Sequence, residues 1–392
     1  MVRVKEYVRL AEFLLHMLLW RDKLKNNILG QIEPIDSERS EKILKRFFVA
    51  QDSLVVQASD LSLGSLAQMV DSKAIDTEPK YQRRHRWPTE KQSALIESFL
   101  LNIPVPPIYL AEDKLGKYSV VDGKQRLTAI ADFMGGRLTL SALESMEEVE
   151  GLVFAQLPED MQNALAIRPY LRVITILKQS SPLLKYEVFI RLNRGGESME
   201  PQELRNVAFR GNLNDLIYAL SENKFLRQQL KIRDAKSSAY QLMADAELVV
   251  RFLALRGIWS KFSGGLRGAM DVFMANNASV NQVELGQYRT AFERAAAACE
   301  AIWEQHAFQR PSQTGWRDQF LNGVYDAQML AVDELTDAQI AALGNEKQAA
   351  QNATKQLFSD LKFDRAAREA TNTPGRIRFR VTQVLAMLRS LA

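Results

Sequence analysis

Five consecutive residues in the first third of the chain combine charged side chains, a glycine and an amide. They are Asp122, Gly123, Lys124, Gln125 and Arg126. A short apolar run ends just before them, and an amphipathic helix begins within them. A strand that turns through glycine into a helix offers backbone N–H groups and the positive end of the helix dipole to an anion. Cations are disfavoured in a first helical turn, so the lysine and the arginine there indicate an anionic partner, with a phosphate as the expected group.

The elements that must position this corner can be read from apolar spacing. Leu127, Ile130, Ala131 and Met134 recur at the spacing of one buried helical face, and two glycines end that helix. Apolar and β-branched runs predict strands at 108–110, 117–121, 137–140 and 170–177. Helices are expected at 61–75, at 88–102, from Ser181 and near Pro201, and then, with no further strands, at 240–256, 285–305, 318–343, 345–369 and 376–391.

Composition is that of an ordinary globular protein. The chain has 392 residues, of which 46% are hydrophobic and 25% are charged, and its net charge is only +4. This small excess of cations does not demand nucleic acid as a partner, so a basic surface must be local. The change from mixed to purely helical patterning predicts a helical extension at 1–58, an α/β domain at 59–180 and a helical domain at 181–392.

Cysteine, histidine and hydropathy exclude several classes. Cys299 is the only cysteine, so no intrachain disulfide forms, and we expect it to fill a buried site. The three histidines are scattered without zinc spacing, and the sequence is compatible with a carboxylate-bound Mg²⁺, since such sites leave little trace in sequence. The Leu-rich run at 8–20 contains Arg9, Glu12 and His16 and is too short to cross a bilayer, so a cytoplasmic protein is expected.

Five motifs occur in order between residues 60 and 275. They are Tyr81-Gln82-Arg83 with Trp87; Leu95-Ile96-Glu97-Ser98 followed by Ile103-Pro104-Val105-Pro106-Pro107-Ile108-Tyr109; Asp122-Gly123-Lys124-Gln125-Arg126; Phe189-Ile190-Arg191-Leu192-Asn193-Arg194-Gly195-Gly196 with Glu203-Leu204-Arg205-Asn206; and Met243-Ala244-Asp245-Ala246-Glu247 through Phe252-Leu253. Together they resemble the N-terminal domain family of the GmrS/GmrD-type restriction systems. The resemblance implies an α+β fold, with a small ParB/sulfiredoxin-like mixed sheet and helices, followed here by an all-helical C-terminal domain.

By this resemblance, residues 122–126 stand where the family has Asp-Gly-Gln-Gln-Arg, a motif associated with nucleotide binding and hydrolysis in bacterial defence against phage. The implied cofactors are Mg²⁺ and a nucleoside triphosphate of unspecified base. Lys124 replaces the first glutamine, which would either strengthen phosphate binding or slow hydrolysis by removing a water-orienting amide. Many relatives carry a His-containing nuclease domain that has no counterpart here, so cleavage of nucleic acid would need a separate effector protein.

The hypothesis assigns a role to each residue of the corner. Gly123 and the N–H groups after it would hold the β- or γ-phosphate, while Lys124 and Arg126 neutralise its charge. Asp122 would hold Mg²⁺ or orient the attacking water, and Gln125 would position that water. The structural alternatives are an N-cap for Asp122 and a solvent-facing helix position for Gln125. A plugged corner with the Arg126 guanidinium held inside the protein would contradict the site.

Other motif residues extend the predicted nucleotide site. Gln82 and Arg83 are assigned to it, with Arg83 as a second phosphate clamp. The alternative for Arg83 is a salt bridge with Glu97 or Glu203. Asn193, with the two glycines that follow it at 195–196, would close over the ligand, and its alternative is a helix C-cap.

A basic stretch lies beside these residues. Arg84 and Arg86 are predicted to contact a nucleic-acid backbone, with a solvated face as the equal alternative. Tyr81 and Trp87 are expected to anchor this stretch in the core rather than to stack on bases.

Two functions follow from these interpretations. The leading one is a nucleoside-triphosphatase, an NTP-binding and Mg²⁺-dependent regulatory protein of a restriction-type defence system whose state is sensed by DNA or an effector protein. The alternative is a non-hydrolysing DNA-binding or adaptor protein on the same fold, and a ParB-type nuclease stands behind both. Assembly into an oligomer through the terminal helices is compatible with each.

Overall fold

The computed structural model describes residues 36–77, 87–168, 170–192 and 200–392. The chain forms two compact units, Met1–Ser53 and Leu54–Ala392. In the first unit, the described residues form helix α1, Ser37–Ser53, in agreement with the helical character expected there. Five apolar side chains of α1, at positions 43, 44 and 47–49, are each at least half exposed.

A five-stranded mixed sheet carries the candidate corner. Its strands are β1 Val56–Ser62, β2 Ile75–Asp76, β3 Ile108–Lys114, β4 Lys117–Asp122 and β5 Tyr170–Ile176, in the order β1-β5-β3-β4-β2. β3 and β4 form an antiparallel hairpin, β5 runs parallel to β3, β1 is antiparallel to β5, and β2 is parallel to β4. The strands predicted at 108–110, 117–121 and 170–177 are confirmed.

Four helices cover one face of this sheet. They are α2 Leu63–Asp71, α3 Thr89–Leu100, α4 Lys124–Met134 and α5 Glu159–Ile167. The predicted stripe of α4 is confirmed, since Leu127, Ile130 and Ala131 are buried and Met134 is half-buried. Leu110 and Val120 of the sheet belong to the same apolar core. Burial of this stripe therefore fixes the orientation of α4 and, with it, the side chains of its first turn.

The second apolar core lies in the helical region and covers the other face of the sheet. Ala111 and Val121 belong to it, as the alternation of side chains along a strand requires. Its helices are α6 Pro182–Leu192, α7 Pro201–Ala208, α8 Asn212–Ser221, α9 Lys224–Gln229, α10 Ser238–Gln241, α11 Ala244–Leu255, α12 Leu266–Asn277, α13 Gln282–Trp303, α14 Asn322–Asp333, α15 Asp337–Asn345, α16 Lys347–Leu357, α17 Leu361–Arg368 and α18 Pro374–Arg389. Cys299 is completely buried in α13, and this burial raises the pKa of its thiol well above the ordinary value, so the thiol fills space as predicted.

Several predicted elements differ from the structure. The strand expected at 137–140 is wrong. Leu138 N–H donates to the Asp132 carbonyl in the last turn of α4, and the Leu140 backbone exchanges hydrogen bonds with the loop at 151–152. The long helices expected at 318–343 and 345–369 are each divided. Thr336 and Asp360 cause the divisions because their side-chain oxygens cap the N-termini of α15 and α17.

Three strand pairs were not expected from the sequence, and one of them is the pair of β2, Ile75–Asp76, with β4. β1 occupies 56–62, where a helical extension and then a helix were predicted, and β6 Arg310–Ser312 pairs with β7 Gly315–Arg317 as a short hairpin. The fold remains a mixed α+β sheet followed by a helical region, as predicted. Among the described residues, no helix combines the length and the hydropathy that a bilayer span requires.

Candidate functional site

The corner forms where β4 turns through Gly123 into α4. Gly123 has φ +94°, in the left-handed region that favours glycine, and its carbonyl accepts the first helical hydrogen bond from Leu127 N–H at 2.9 Å. A Cβ atom added at this position would lie 2.9 Å from Ile108 Cγ1 and 3.1 Å from an Arg126 guanidinium nitrogen. Backbone conformation and close packing therefore both require glycine here.

Arg126 is held inside the protein. Its NH2 group donates to Asp122 Oδ2 at 2.8 Å and to the Pro107 carbonyl at 3.1 Å, and its side chain is only 14% exposed. Its Nε is buried without a hydrogen-bond partner among the described residues. Gly123, not Asp122, is the N-cap of α4, so the predicted N-cap role of Asp122 is replaced by this ion pair. An Arg126 guanidinium held inside the protein was one of the two findings that would contradict the predicted site, and the structure shows this finding. Arg126 instead links the end of β4 and the start of α4 to the Pro107 carbonyl.

Gln125 and Trp87 connect the corner to the start of α3. The Gln125 Oε1 accepts the Trp87 N–H at 3.0 Å, and Gln92 donates to the Trp87 carbonyl at 2.8 Å. The Trp87 ring packs partly buried on the first core with the Lys91 ammonium 4.7 Å from its centre. Trp87 is therefore an anchor, as predicted, and Gln125 is a tether rather than a solvent-facing side chain.

Other predicted site residues lie outside the described residues. These are Gln82, Arg83, Arg84, Arg86 and Asn193, together with Tyr81, so their assignments stay predictions. Lys124 opens α4 and is half-buried, and Asp122 keeps 44% of its side chain exposed. The structure thus brings Asp122, Gly123, Lys124, Gln125 and Arg126 together in one turn.

Glu97, one of the two acids considered as a partner for Arg83, has another role. It is buried, and its carboxylate accepts N–H bonds from Ser145 at 2.6 Å, Met146 at 3.0 Å and Glu144 at 3.3 Å. The bond from Ser145 is the main cause that lowers the pKa of Glu97 below its ordinary value. Glu97 therefore fixes the 144–146 loop against α3.

Sequence reasoning missed a cluster of charged residues between the sheet and the helical region. It consists of Asp76, Asp113, Lys185 and Arg210 and is called here the Asp113 cluster. Arg210 NH1 donates to Asp113 Oδ2 at 2.9 Å and lies 3.6 Å from Asp76 Oδ2. Lys185 is buried, and within the described part of the chain no hydrogen bond or ion pair reaches its ammonium. Burial raises the pKa of Asp113 and lowers the pKa of Lys185, while the opposite charges nearby oppose both shifts.

Removing the positive charge of the buried Lys185 is expected to stabilise the protein. Replacement of Lys185 by methionine keeps the length of the side chain and should raise the free energy of unfolding at neutral pH by about 1 kcal/mol. Because the folded-state pKa of Lys185 lies below the ordinary 10.5, the unfolded chain binds more protons between the two values. The wild-type protein should therefore gain stability as the pH rises towards about 10, and the variant should lack this gain.

Urea unfolding at about pH 7 and about pH 9.5 measures both effects. Lys178→Met is the control, because Lys178 is exposed just after β5. This variant should keep the pH dependence of the wild-type protein. Equal pH dependence in wild-type protein and Lys185→Met would show that the ammonium is not buried as described.

The Glu-Leu-Arg-Asn element lies on α7, a helix that is polar and nevertheless buried. Arg205 is 1% exposed and donates from Nε to Asp271 Oδ1 at 2.7 Å. Gln202 donates to Asn206 at 2.9 Å, and Glu203 caps its own helix by accepting the Glu200 N–H at 2.9 Å. These contacts give the element a structural role in joining α7 to α12.

Comparison with known proteins finds one family that resembles part of the chain. Residues 66–210 match the family model of the GmrSD restriction endonuclease, N-terminal domain. No curated protein and no solved structure matches the chain. The matched segment contains four of the five strands, the Gly123 corner and α7. Residues 66–210 are therefore similar to the GmrSD restriction endonuclease N-terminal domain family.

Proposed function

We propose that this protein is a nucleoside-triphosphate-binding regulatory component of a restriction-type defence system, with the triphosphate docked at the Gly123 corner and hydrolysed there. The family of residues 66–210 supports the restriction setting. The observation that carries the proposal is the left-handed glycine that turns β4 into α4 and places Lys124 as the first helical residue. Such a turn presents N–H groups and the helix dipole to a phosphate, and Lys124 adds a cation.

In this proposal Arg126 positions the corner instead of neutralising the phosphate. Its bonds to Asp122 and to the Pro107 carbonyl fix the relation between the strand end and the helix start. Asp122, which keeps part of its carboxylate surface exposed, is the residue that would contact Mg²⁺ or the attacking water. The described residues contain no group of three metal-ligating side chains, so Mg²⁺ would be held by Asp122 and mainly by the phosphates, which suits its usual coordination.

The test is release of inorganic phosphate from each nucleoside triphosphate with Mg²⁺, with and without DNA. Asp122→Ala and Arg126→Ala should each reduce turnover by about 100-fold or more, the effect typical of removing one group that organises a transition state. Asp132→Ala and Arg137→Ala are the matched controls, because they remove an Asp–Arg pair with a 2.9 Å bond at the other end of α4. Both controls should keep the wild-type rate.

Unchanged hydrolysis in Asp122→Ala and Arg126→Ala, with both variants folded by circular dichroism, would remove the corner from the reaction. Loss of hydrolysis in the two control variants to the same extent would assign the effect to helix stability.

The ion pair favours a second candidate, a protein that binds the triphosphate without hydrolysing it. The Asp122 carboxylate already accepts a bond from Arg126, and Lys124 stands where the family has glutamine. Nucleotide binding measured by calorimetry, without phosphate release, would establish this candidate. Turnover that appears only in Lys124→Gln would identify Lys124 as its cause.

A further inference from the structure

A basic depression lies on the helical region, beyond the segment that matches the family. It has a volume of about 670 Å³ and is formed by α9 and the turn that follows, residues 222–233. Four of its seven lining residues are cations, Lys224, Arg227, Lys231 and Arg233, and one is an acid, Glu222. The lining therefore favours an anionic ligand.

The sequence around the depression is locally basic. Residues 222–240 contain five cations and two acids, a net charge of +3, whereas the whole chain carries only +4. Local charge of this kind is the electrostatic footprint of a polyanion site.

Two of the cations form the wall of the depression. Arg227 Nε donates to the Ser221 carbonyl at 3.1 Å and lies 3.6 Å from Asp245 Oδ2. Lys231 Nζ donates to Asp318 Oδ2 at 2.7 Å. Their charges are partly neutralised by the protein, and their main effect is to hold α9 and the following turn in place.

The other three cations of residues 222–240 are available to a ligand. Lys224, Arg233 and Lys236 are exposed, and within the described part of the chain no ion pair reaches them. The neighbouring Asp234 does not neutralise them, because its Oδ1 accepts the N–H groups of Lys236 at 2.8 Å and Ser237 at 3.0 Å. The loop is thus fixed by its own hydrogen bonds, with its cations directed to solvent.

We propose that this depression binds the backbone of a single-stranded nucleic acid. Lys224 and Arg233 of the lining, with Lys236 on the loop that follows, suit successive phosphates, and the exposed Gln228 adds an amide donor. Tyr240 is 41% exposed and lies beside Arg227, whose guanidinium carbon is 5.7 Å from the ring centre, so a base can stack there. An acidic polypeptide fits less well, since Ile232 is the only apolar side chain that lines the depression.

The experiment measures the affinity of the full chain for a fluorescent thymidine oligonucleotide of about 12 nucleotides over a series of salt concentrations. Three phosphate contacts on a single strand predict a slope of about −2 for log K against log salt. The triple variant Lys224→Ala, Arg233→Ala, Lys236→Ala should bind at least about 10-fold more weakly and lose most of that slope. The control triple variant Arg168→Ala, Lys261→Ala, Arg389→Ala removes the same charge from exposed cations outside residues 222–240 and should bind like the wild-type protein.

Three results would overturn the proposal: no binding by the wild-type protein at low salt, an equal loss in the control triple variant, or equally strong competition by polyglutamate or by a duplex of the same length. The proposal is independent of the triphosphate site. Asp122→Ala should leave oligonucleotide binding unchanged, so failure of one proposal is distinguishable from failure of the other.

Discussion

Replacement of Asp326 by alanine is expected to lower the free energy of unfolding by about 3–5 kcal/mol, because it leaves two buried guanidinium groups without their counter-ion. Asp326 is 1% exposed in α14. Its Oδ1 accepts from Arg251 Nε at 2.5 Å, and its Oδ2 accepts from Arg251 at 2.6 Å and from Arg380 at 2.9 Å. Arg380 also donates to the carbonyls of Ala366 and Thr371, so one carboxylate organises α11, α14, α17 and α18.

The measurement is urea unfolding of the variant beside a matched control. Asp337→Ala removes a carboxylate that Arg294 Nε contacts at 2.7 Å, but the Asp337 side chain is 88% exposed. Its loss should lower the free energy of unfolding by less than about 1 kcal/mol, as is usual for pairs in contact with water. A change of less than about 1 kcal/mol in Asp326→Ala would show that the two arginines find other partners.

Gly211→Ala is expected to destabilise the protein by about 3 kcal/mol or more through steric overlap. A Cβ atom at this position would lie 1.9 Å from the Ala278 carbonyl oxygen and 2.8 Å from its carbon. Gly211 has φ 162°, an extended conformation open to any residue, so the loss is purely one of space. Since the obstacle is backbone at the end of α12, the start of α8 must move away from it.

Thermal unfolding monitored by circular dichroism checks this expectation. Gly286→Ala is the control: Gly286 is exposed within α13, and an added Cβ would meet no atom within 4 Å. Alanine there should stabilise the protein by about 0.5–1 kcal/mol because it loses less backbone entropy on folding. A melting temperature for Gly211→Ala equal to that of the wild-type protein would disprove the close approach of α8 and α12.

Much of the fold could be predicted because its signals are local. The stripe Leu127, Ile130 and Ala131 faces a core, and the apolar runs of β3, β4 and β5 are buried. β1 was missed for a physical reason: it is an edge strand with most of its side chains exposed, so it shows no apolar alternation. The helix divisions at Thr336 and Asp360 were missed because the prediction followed the continuous apolar pattern. The capping side chains that end this continuity were not taken into account.

The candidate site divides in the same way. The turn at Gly123 could be read from a strand, a glycine and a helix in succession, and the structure confirms that turn. The commitment of Arg126 to the Pro107 carbonyl could not be read, because it depends on how the chain at 107 returns to α4. The Asp113 cluster was hidden for the same reason, since Asp76, Asp113, Lys185 and Arg210 meet only in three dimensions.

β1 belongs to the sheet but lies outside the segment that matches the family model. The recognisable kinship starts at residue 66, partway through α2, whereas β1 at 56–62 supplies all seven backbone partners of β5 on its outer side. A fragment limited to residues 66–210 would expose β5 as an unpaired edge strand. Such an edge can pair with strands of other molecules and lead to aggregation. The fragment would also lack the members of the second apolar core that follow residue 210. The segment that matches the family model is therefore shorter than the segment that completes the sheet.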